Sequence, residues 1–288
     1  MAQIAYRLDT NVPGDFFVDS SCIDCDACRI FAPTVFRDAG GQSAVYHQPE
    51  SEAELLAAQR ALISCPTASI GSLKHDMRAA VASLPELVDG DVYRCGYTSE
   101  SSFGAISYLV RRDGGNLLVD SPRFAEPLAK NIEALGGVAR LLLTHQDDVA
   151  DHAKFAERFG CERVLHEDDV RSGTAAVELK VTGDEPVQLD ADLLMIPTPG
   201  HTRGHAVFLY RDRYLFTGDH LAWSETRGHL YAFRSACWYS WSEQIRSMER
   251  LLDYSFEWVL PGHGRPIFLT SAEMHASLER CVAWMKTK

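Results

Sequence analysis

Apolar and polar positions divide the chain into a short first stretch with few regular elements and a longer second stretch in which strands and helices follow one another. Gly14 to Asp19 and Gln42 to His47 read as strands, and Glu52 to Ile63 as an amphipathic helix whose apolar positions are Leu55, Leu56, Leu62 and Ile63. Ser51 predicts the N-cap of that helix, and Glu54 three residues on completes a capping box. Over 73–90, Met77, Ala80, Val81 and Leu84 share one helical face ahead of the breakers Pro85 and Asp89-Gly90, which predicts a bridging helix and a domain boundary.

From Asp91 onward, Ile106 to Arg111 and Asn116 to Asp120 flank an Asp113-Gly114-Gly115 turn, the pattern of a β-hairpin. A helix is expected over Phe124 to Leu135, and another over Asp151 to Phe159 with Gly160 as its stop. Leu141 to Thr144, Asp192 to Ile196, Tyr214 to Phe216 and Trp258 to Leu260 read as short strands. Polar chemistry gathers just past the C-terminal ends of these strands, where loops offer free backbone and open space. The expected organisation is therefore a domain over 1–72, a linker helix over 73–90 and a second domain over 91–288.

Composition narrows the function classes. With 46% hydrophobic and 24% charged residues among 288, disorder is excluded and two domains fit the length. No apolar run approaches the roughly 20 residues of a membrane span. Met1 to Ser20 lacks the basic flank and apolar stretch of a signal peptide, so the mature chain is expected to begin near Met1. A net charge of -12 without a basic block speaks against a nucleic-acid partner, because phosphate binding draws on clustered Lys and Arg. The expected partners are a small-molecule substrate and a redox protein, with no membrane. Four of the eight cysteines lie in the first domain, which reads as a metal site in a reducing compartment and predicts a cytoplasmic location.

Those four are Cys22, Cys25 and Cys28, spaced C-x2-C-x2-C, and Cys65, which precedes Pro66. Three closely spaced thiolates and a distant fourth can wrap one cubane. Four thiolates also suit tetrahedral zinc, although zinc sites usually use two C-x2-C pairs. The run resembles bacterial single-cluster ferredoxins over about the first 72 residues. Two-cluster ferredoxins carry a further cysteine where this chain has Ala32, with Pro33 retained, so the resemblance implies one 4Fe-4S cluster. Cys95, Cys161, Cys237 and Cys281 are isolated and read as small buried hydrophobes.

The second domain holds Thr144-His145-Gln146-Asp147-Asp148-Val149-Ala150-Asp151-His152. Three further segments follow: Pro199-Gly200-His201-Thr202, Thr217-Gly218-Asp219-His220 and Pro261-Gly262-His263-Gly264. Imidazole and carboxylate groups converging from separate strand ends suit zinc or iron. Asp147 taken alone could simply cap a helix.

The order of the four segments resembles the metallo-β-lactamase superfamily, in particular its glyoxalase II-like branch, over 91–288. The resemblance implies an α+β chain: a ferredoxin-like 4Fe-4S domain followed by a four-layer αββα sandwich holding one or two zinc or iron ions. It further implies that His145 and His201 bind one metal, Asp151, His152 and His263 a second, and that Asp219 bridges. Asp151 and Asp219 are the candidate catalytic groups. The family motif is H-x-H-x-D-H, whereas here two extra residues separate His145 from Asp151-His152 and the second histidine is absent. If the following helix extends back by one turn, Asp148 shares a face with Asp151 and His152 and becomes the replacement ligand. On that helix Asp147 points about a quarter-turn away, yet counted from His145 it occupies the missing histidine's place. His205 and His220 flank ligand segments and fit either hydrogen-bonding roles behind the ligands or solvated histidines. His47, His75, His166, His229 and His275 have no sequence partners. Trp238, Tyr239 and Trp241 read as core or pocket wall.

Three functions fit these modules. The first is metal-dependent hydrolysis of a thioester, ester or amide carbonyl, with water acidified toward a pKa of ~7 and the 4Fe-4S module attached for electron transfer. The second is non-haem iron oxidoreduction of oxygen or a sulfur species, using His145, His201 and Asp219 as two histidines and one carboxylate. That version resembles the superfamily's persulfide dioxygenases and its flavodiiron proteins. The third is a non-catalytic iron–sulfur sensor.

Overall fold

Short strands and one long helix build the cysteine-bearing end of the chain. β1 (Phe16–Val18) pairs antiparallel with β4 (Ile70–Ser72), and β2 (Phe36–Asp38) with β3 (Ser43–Val45). α1 (Ala27–Phe31) and α2 (Glu52–Ser64) complete the segment. Asn11 staples it: its amide donates to Val18 O at 2.8 Å while its Oδ1 accepts the N–H groups of Val18 and Val45, each at 3.0 Å. The expected capping box is present at Ser51, whose Oγ accepts the Glu54 N–H while the Glu54 carboxylate accepts the Ser51 N–H. The buried face of α2 is Ala58, Ala61 and Ser64 rather than the leucines, with Leu55 exposed. Small residues allow close approach there, and α2 packs through them.

The structure is a computed structural model that describes residues 1–74 and 76–288, so His75 lies outside the described residues. These residues divide into two units, Met1–Ala139 with Ala150–Cys161, and Arg140–Val149 with Glu162–Lys288. In the first unit the helix expected over 73–90 is only α3 (Arg78–Ala82). Pro85 cannot continue it, and the residues beyond pair as β5 (Glu86–Asp89) with β6 (Val92–Arg94). β7 (Tyr108–Val110) and β8 (Leu117–Val119) extend an antiparallel meander, followed by α4 (Glu126–Ala134). α5 (His152–Phe159) ends at Gly160, as its sequence predicts.

Two contacts inside this unit join the cysteine-bearing segment to the meander. Glu86 bridges Arg60 at 2.6 Å and Arg94 at 2.5 Å. The Arg94 guanidinium also lies 4.2 Å from the Phe31 ring centroid, where it gains a cation–π attraction.

In the second unit β9 (Arg140–Leu142), β10 (Glu162–His166) and β11 (Leu179–Val181) run parallel. β12 (Val187–Asp190), β13 (Leu193–Pro197), β14 (Ala206–Tyr210), β15 (Tyr214–Gly218), β18 (Trp258–Pro261) and β19 (Ile267–Phe268) form a six-stranded sheet in that order. β16 (Ala222–Ser224) and β17 (His229–Tyr231) make a hairpin. α6 (Trp241–Arg250) and α7 (Ser271–Met285) join Val207, Leu209, Leu215 and Val259 in one apolar core through Met248, Met274, Leu278 and Met285. β13 and β15 are both antiparallel to β14, and β15 is parallel to β18, so the C-terminal ends of β13, β15 and β18 share one sheet edge. Among the described residues no helix is long and apolar enough to cross a membrane.

Candidate metal centres

His201, Asp219 and His263 follow the C-terminal ends of β13, β15 and β18, so the shared sheet edge gathers them without any long-range loop. His145 joins them because Ala206, at the start of β14, donates its N–H to Thr144 O at 2.8 Å. The Asp219 Oδ2 lies 3.9 Å from His145 Nε2, 3.7 Å from His201 Nε2 and 3.8 Å from His263 Nε2. Asp147 Oδ2 lies 3.4 Å from His201 Nε2 and 3.9 Å from His145 Nε2. Tetrahedral ligands bound at 2.0–2.2 Å stand about 3.4 Å from one another, so these separations fit an ion between them.

Two groups of ligand atoms lie within 4.8 Å of one another: His145, Asp147 and His201, and His145, Asp148 and Asp219. Asp148 is buried, and a Cβ added at Gly262 would fall 2.8 Å from its Oδ2 and 3.3 Å from Asp219 Oδ1. A side chain at 262 would press on both carboxylates, and glycine leaves them room. α5 does not extend back to Asp148, as the helical-face argument assumed; it starts at His152, and both Asp147 and Asp148 reach the centre from the loop before it.

Asp151 and His152 belong to the first unit. The Asp151 carboxylate accepts the Phe124 N–H at 2.8 Å and pairs with Lys154 at 2.8 Å, and His152 opens α5 with its side chain buried. The convergent groups do not include them.

Hydrogen bonds on the far ring nitrogens aim the ligand nitrogens. His145 Nδ1 meets Thr144 Oγ1 at 2.9 Å, and His201 Nδ1 meets Ala236 O at 2.5 Å. Since a carbonyl only accepts, His201 carries its proton on Nδ1 and turns Nε2 toward Asp147 and Asp219. His205 and His220 do not fill this role: His205 Nδ1 pairs with Thr198 Oγ1 at 2.9 Å, and the two rings stack at 5.4 Å. Burial drives His205 well below the usual histidine range and His220 down to about 3, so both are neutral.

Burial also lowers His145 to about 4, against the opposing charge of Asp219. At His201 burial pulls downward too, but the Asp147 carboxylate 3.4 Å away and the charge of Asp219 outweigh it and leave its pKa raised. The facing His201 ring holds Asp147 below the usual carboxylate range despite its partial burial. The Nε2 atoms of His145 and His201 and the Oδ1 of Asp219 are buried without a hydrogen-bond partner among the described residues. Lone-pair atoms left so at one point, on two imidazoles and a carboxylate, suit a divalent cation.

Asp169 is a residue that the motif spacing does not reveal. Fully buried, it accepts the Gln146 N–H at 3.0 Å, the Thr202 hydroxyl at 2.5 Å and the Gly204 N–H at 2.8 Å. It therefore ties the loop of His145 to the loop of His201. Only its three-dimensional neighbours identify it, because it lies outside the four motif segments.

In the first unit Cys22, Cys25, Cys28 and Cys65 line one cavity with Val18, Ile23 and Ile70. The N–H groups of Ser43 and Ser69 point at the sulfurs of Cys22 and Cys65, at 3.4 and 3.2 Å. Burial and the neighbouring thiols push Cys25 up to about 12 and raise Cys28 as well. Two buried thiols that resist ionising, in a cage of four, suit a cationic iron core that would hold them as thiolates.

Residues 18–72 match the 4Fe-4S single cluster domain of Ferredoxin I, and residues 104–263 match the Metallo-beta-lactamase superfamily. The chain is similar to hydroxyacylglutathione hydrolase of Bradyrhizobium sp. (strain ORS 278), 33% identical over 113 residues, or 38% of this chain and 44% of that protein. The same-named protein of Rhodospirillum rubrum is 33% identical over 119 residues, covering 40% of this chain and 46% of its own. The chain thus spans less than half the length of these curated relatives. Among solved structures, VMB-1 superposes with a TM-score of 0.55 at 15% identity, over 70% of this chain and 95% of that one. A metallo-beta-lactamase from Pontibacter korlensis gives 0.54 at 17% identity, over 70% and 98%. These likenesses show the αββα fold. With more than half of its length matched, the chain belongs to the metallo-beta-lactamase superfamily and carries a ferredoxin-type 4Fe-4S domain at its N-terminal end.

Proposed function

We propose that this chain is a metal-dependent hydrolase acting on a thioester, ester or amide carbonyl, with a 4Fe-4S module on the same polypeptide. The observation that carries this reading is the meeting of His145, Asp147, His201 and Asp219 with carboxylate-to-imidazole separations of 3.4 to 3.9 Å. His145, Asp147 and His201 would hold one ion, Asp148 and His263 a second, and Asp219 would touch both. Asp151 is left out of this set because Phe124 and Lys154 occupy its carboxylate. A zinc or iron ion there supplies a Lewis acid that acidifies water and polarises a carbonyl.

The chain's own residues do the rest. Thr144 and Ala236 fix the two imidazoles, so no rotation is needed when substrate arrives. The neutral rings of His205 and His220 form an uncharged backing to the charged centre. Asp147, whose side chain is 45% exposed, would leave the ion it helps hold reachable from solvent. A thioester of the hydroxyacylglutathione type is the substrate class that the relatives' name supports. The test is turnover of a thioester and lactone panel by anaerobically purified protein of known metal content. A fully metallated protein that hydrolyses none of them overturns the reading.

A second reading is favoured by one specific observation. His145, His201 and Asp219 by themselves supply two histidines and one carboxylate, a set suited to redox-active iron. Reduction of the cluster followed by anaerobic mixing with a sulfur substrate separates the readings, because a hydrolase leaves the cluster reduced.

A further inference from the structure

Within the first unit, the loop after β6 lies against two of the four cysteines. Thr98, fully buried, donates its hydroxyl at 2.6 Å and its N–H at 3.2 Å to the carbonyl of Ser64, the residue before Cys65. Six residues later Gly104 sits at φ +84, where a Cβ would fall 2.7 Å from Cys25 Sγ and 3.3 Å from Pro66 Cγ. The intervening residues form one tight turn, closed by the Gly104 N–H on Ser99 O at 2.8 Å and the Ala105 N–H on Ser102 O at 2.9 Å. One short segment thus holds the backbone that presents Cys65 and touches the sulfur of Cys25. These are a ligand of the distant Cys-Pro pair and a ligand of the C-x2-C-x2-C run.

We propose that Thr98 and Gly104 are positioning residues for the iron–sulfur cluster, with 98–104 forming a wall of its cage. The inference rests on reading the four cysteines as a cluster site. Thr98 orients the Ser64–Cys65 peptide, and Cys65 Sγ in turn accepts the Ser69 N–H at 3.2 Å. Gly104 lets the backbone lie flat on Cys25, excluding water and oxygen from that sulfur. Any side chain at 104 meets both a left-handed backbone and the sulfur itself. Because the segment runs on into β7, cluster occupancy and local order at the entry to the hydrolase meander are coupled.

The experiment compares full-length anaerobic protein carrying the cluster with the Cys22→Ser protein lacking it, by hydrogen exchange and mass spectrometry. Residues 98–105 are expected to exchange at least about tenfold faster without the cluster, while 199–204 and 217–220 stay unchanged. In loaded protein, Gly104→Ala and Thr98→Val are expected to speed bleaching of the cluster's visible absorption in air by about tenfold. Both should alter the electron paramagnetic resonance of the reduced centre, and Thr98→Ser should restore the parent behaviour. Unchanged exchange at 98–105 overturns the proposal, as do parental bleaching and resonance in Thr98→Val. Should Gly104→Ala fail to load, the Val and Ser pair at Thr98 and the wild-type exchange data still decide. A colourless cage holding zinc fails the cluster reading itself and is told apart by metal analysis.

Discussion

Asp147 Oδ2 lies 3.4 Å from His201 Nε2, and the same oxygen is 3.9 Å from His145 Nε2. A carboxylate therefore stands where the superfamily's motif has its second histidine. If it serves as a ligand, Asp147→Ala should weaken ion binding by about 10- to 100-fold, and Asp147→His should keep the ion. Metal content after dialysis against a competing chelator checks this. An Asp147→Ala protein that retains its metal as the parent does would remove Asp147 from the centre.

The same pair sets a pH dependence. His201 is raised above 6.5, so in metal-free protein its stabilisation is complete below 6.5 and is lost as pH rises through the higher folded value. Asp147 is lowered below 3.8, so its contribution is present above 3.8 and is lost as pH falls through its lower folded value. His145 acts in the opposite sense to His201: with a folded value of about 4 it costs stability as pH falls from 6.5 toward 4. Ion binding must displace the His201 proton, so affinity should fall as pH drops below the raised value, with proton release on binding. Asp147→Asn should move that fall to lower pH. Calorimetry in buffers of different ionisation enthalpy measures the released proton, and a parental profile in Asp147→Asn refutes the assignment.

The strand ends that carry His201, Asp219 and His263 were legible because short apolar runs followed by Pro-Gly or Thr-Gly punctuation mark both element and loop. The Cys-Pro and C-x2-C-x2-C spacing is equally local. The two aspartates were not separable by sequence. A helical-face argument favoured Asp148 over Asp147, but both sit in a loop whose path is set by β14 and by Asp169, which contacts neither residue in sequence. Pro85 was read as a helix stop, whereas the strand pairing of Glu86–Asp89 depends on a partner that only folding supplies.

Gly262 offers a way to tell the two proposed ion positions apart. A methyl group there would meet Asp148 Oδ2 at 2.8 Å, and the carboxylate can swing away more easily than the backbone can move. Gly262→Ala should therefore fold, lose the ion held at Asp148 and keep the one held by His145 and His201. Metal stoichiometry by mass spectrometry under native conditions reads this directly. Full occupancy of two ions in the variant would place the second site elsewhere.

Asp169 offers the sharpest test of how the centre is held together. Its carboxylate takes three donors, from Gln146, Thr202 and Gly204, all of them next to ligand segments. Hydrogen bonds to a charged group contribute about 1.5–3 kcal/mol each, and buried donors left without an acceptor cost about 1–3 kcal/mol. These terms overlap, so Asp169→Ala should destabilise metal-free protein by about 3–5 kcal/mol, in the range seen when one partner of a buried charged network is removed. Asp169→Asn keeps the shape and one acceptor oxygen, so it should fall between the parent and Asp169→Ala. Leu278→Ala, in the apolar core formed with α6, provides the contrast. A cavity there should cost a similar ~2–5 kcal/mol while leaving ion affinity unchanged in the folded protein. Asp169→Ala should lower stability and ion affinity together, since it frees the loops of His145 and His201. Urea unfolding with and without metal measures both quantities. A loss in Asp169→Ala below about 1 kcal/mol, or an ion affinity equal to that of Leu278→Ala, would show that the two loops hold their positions without it.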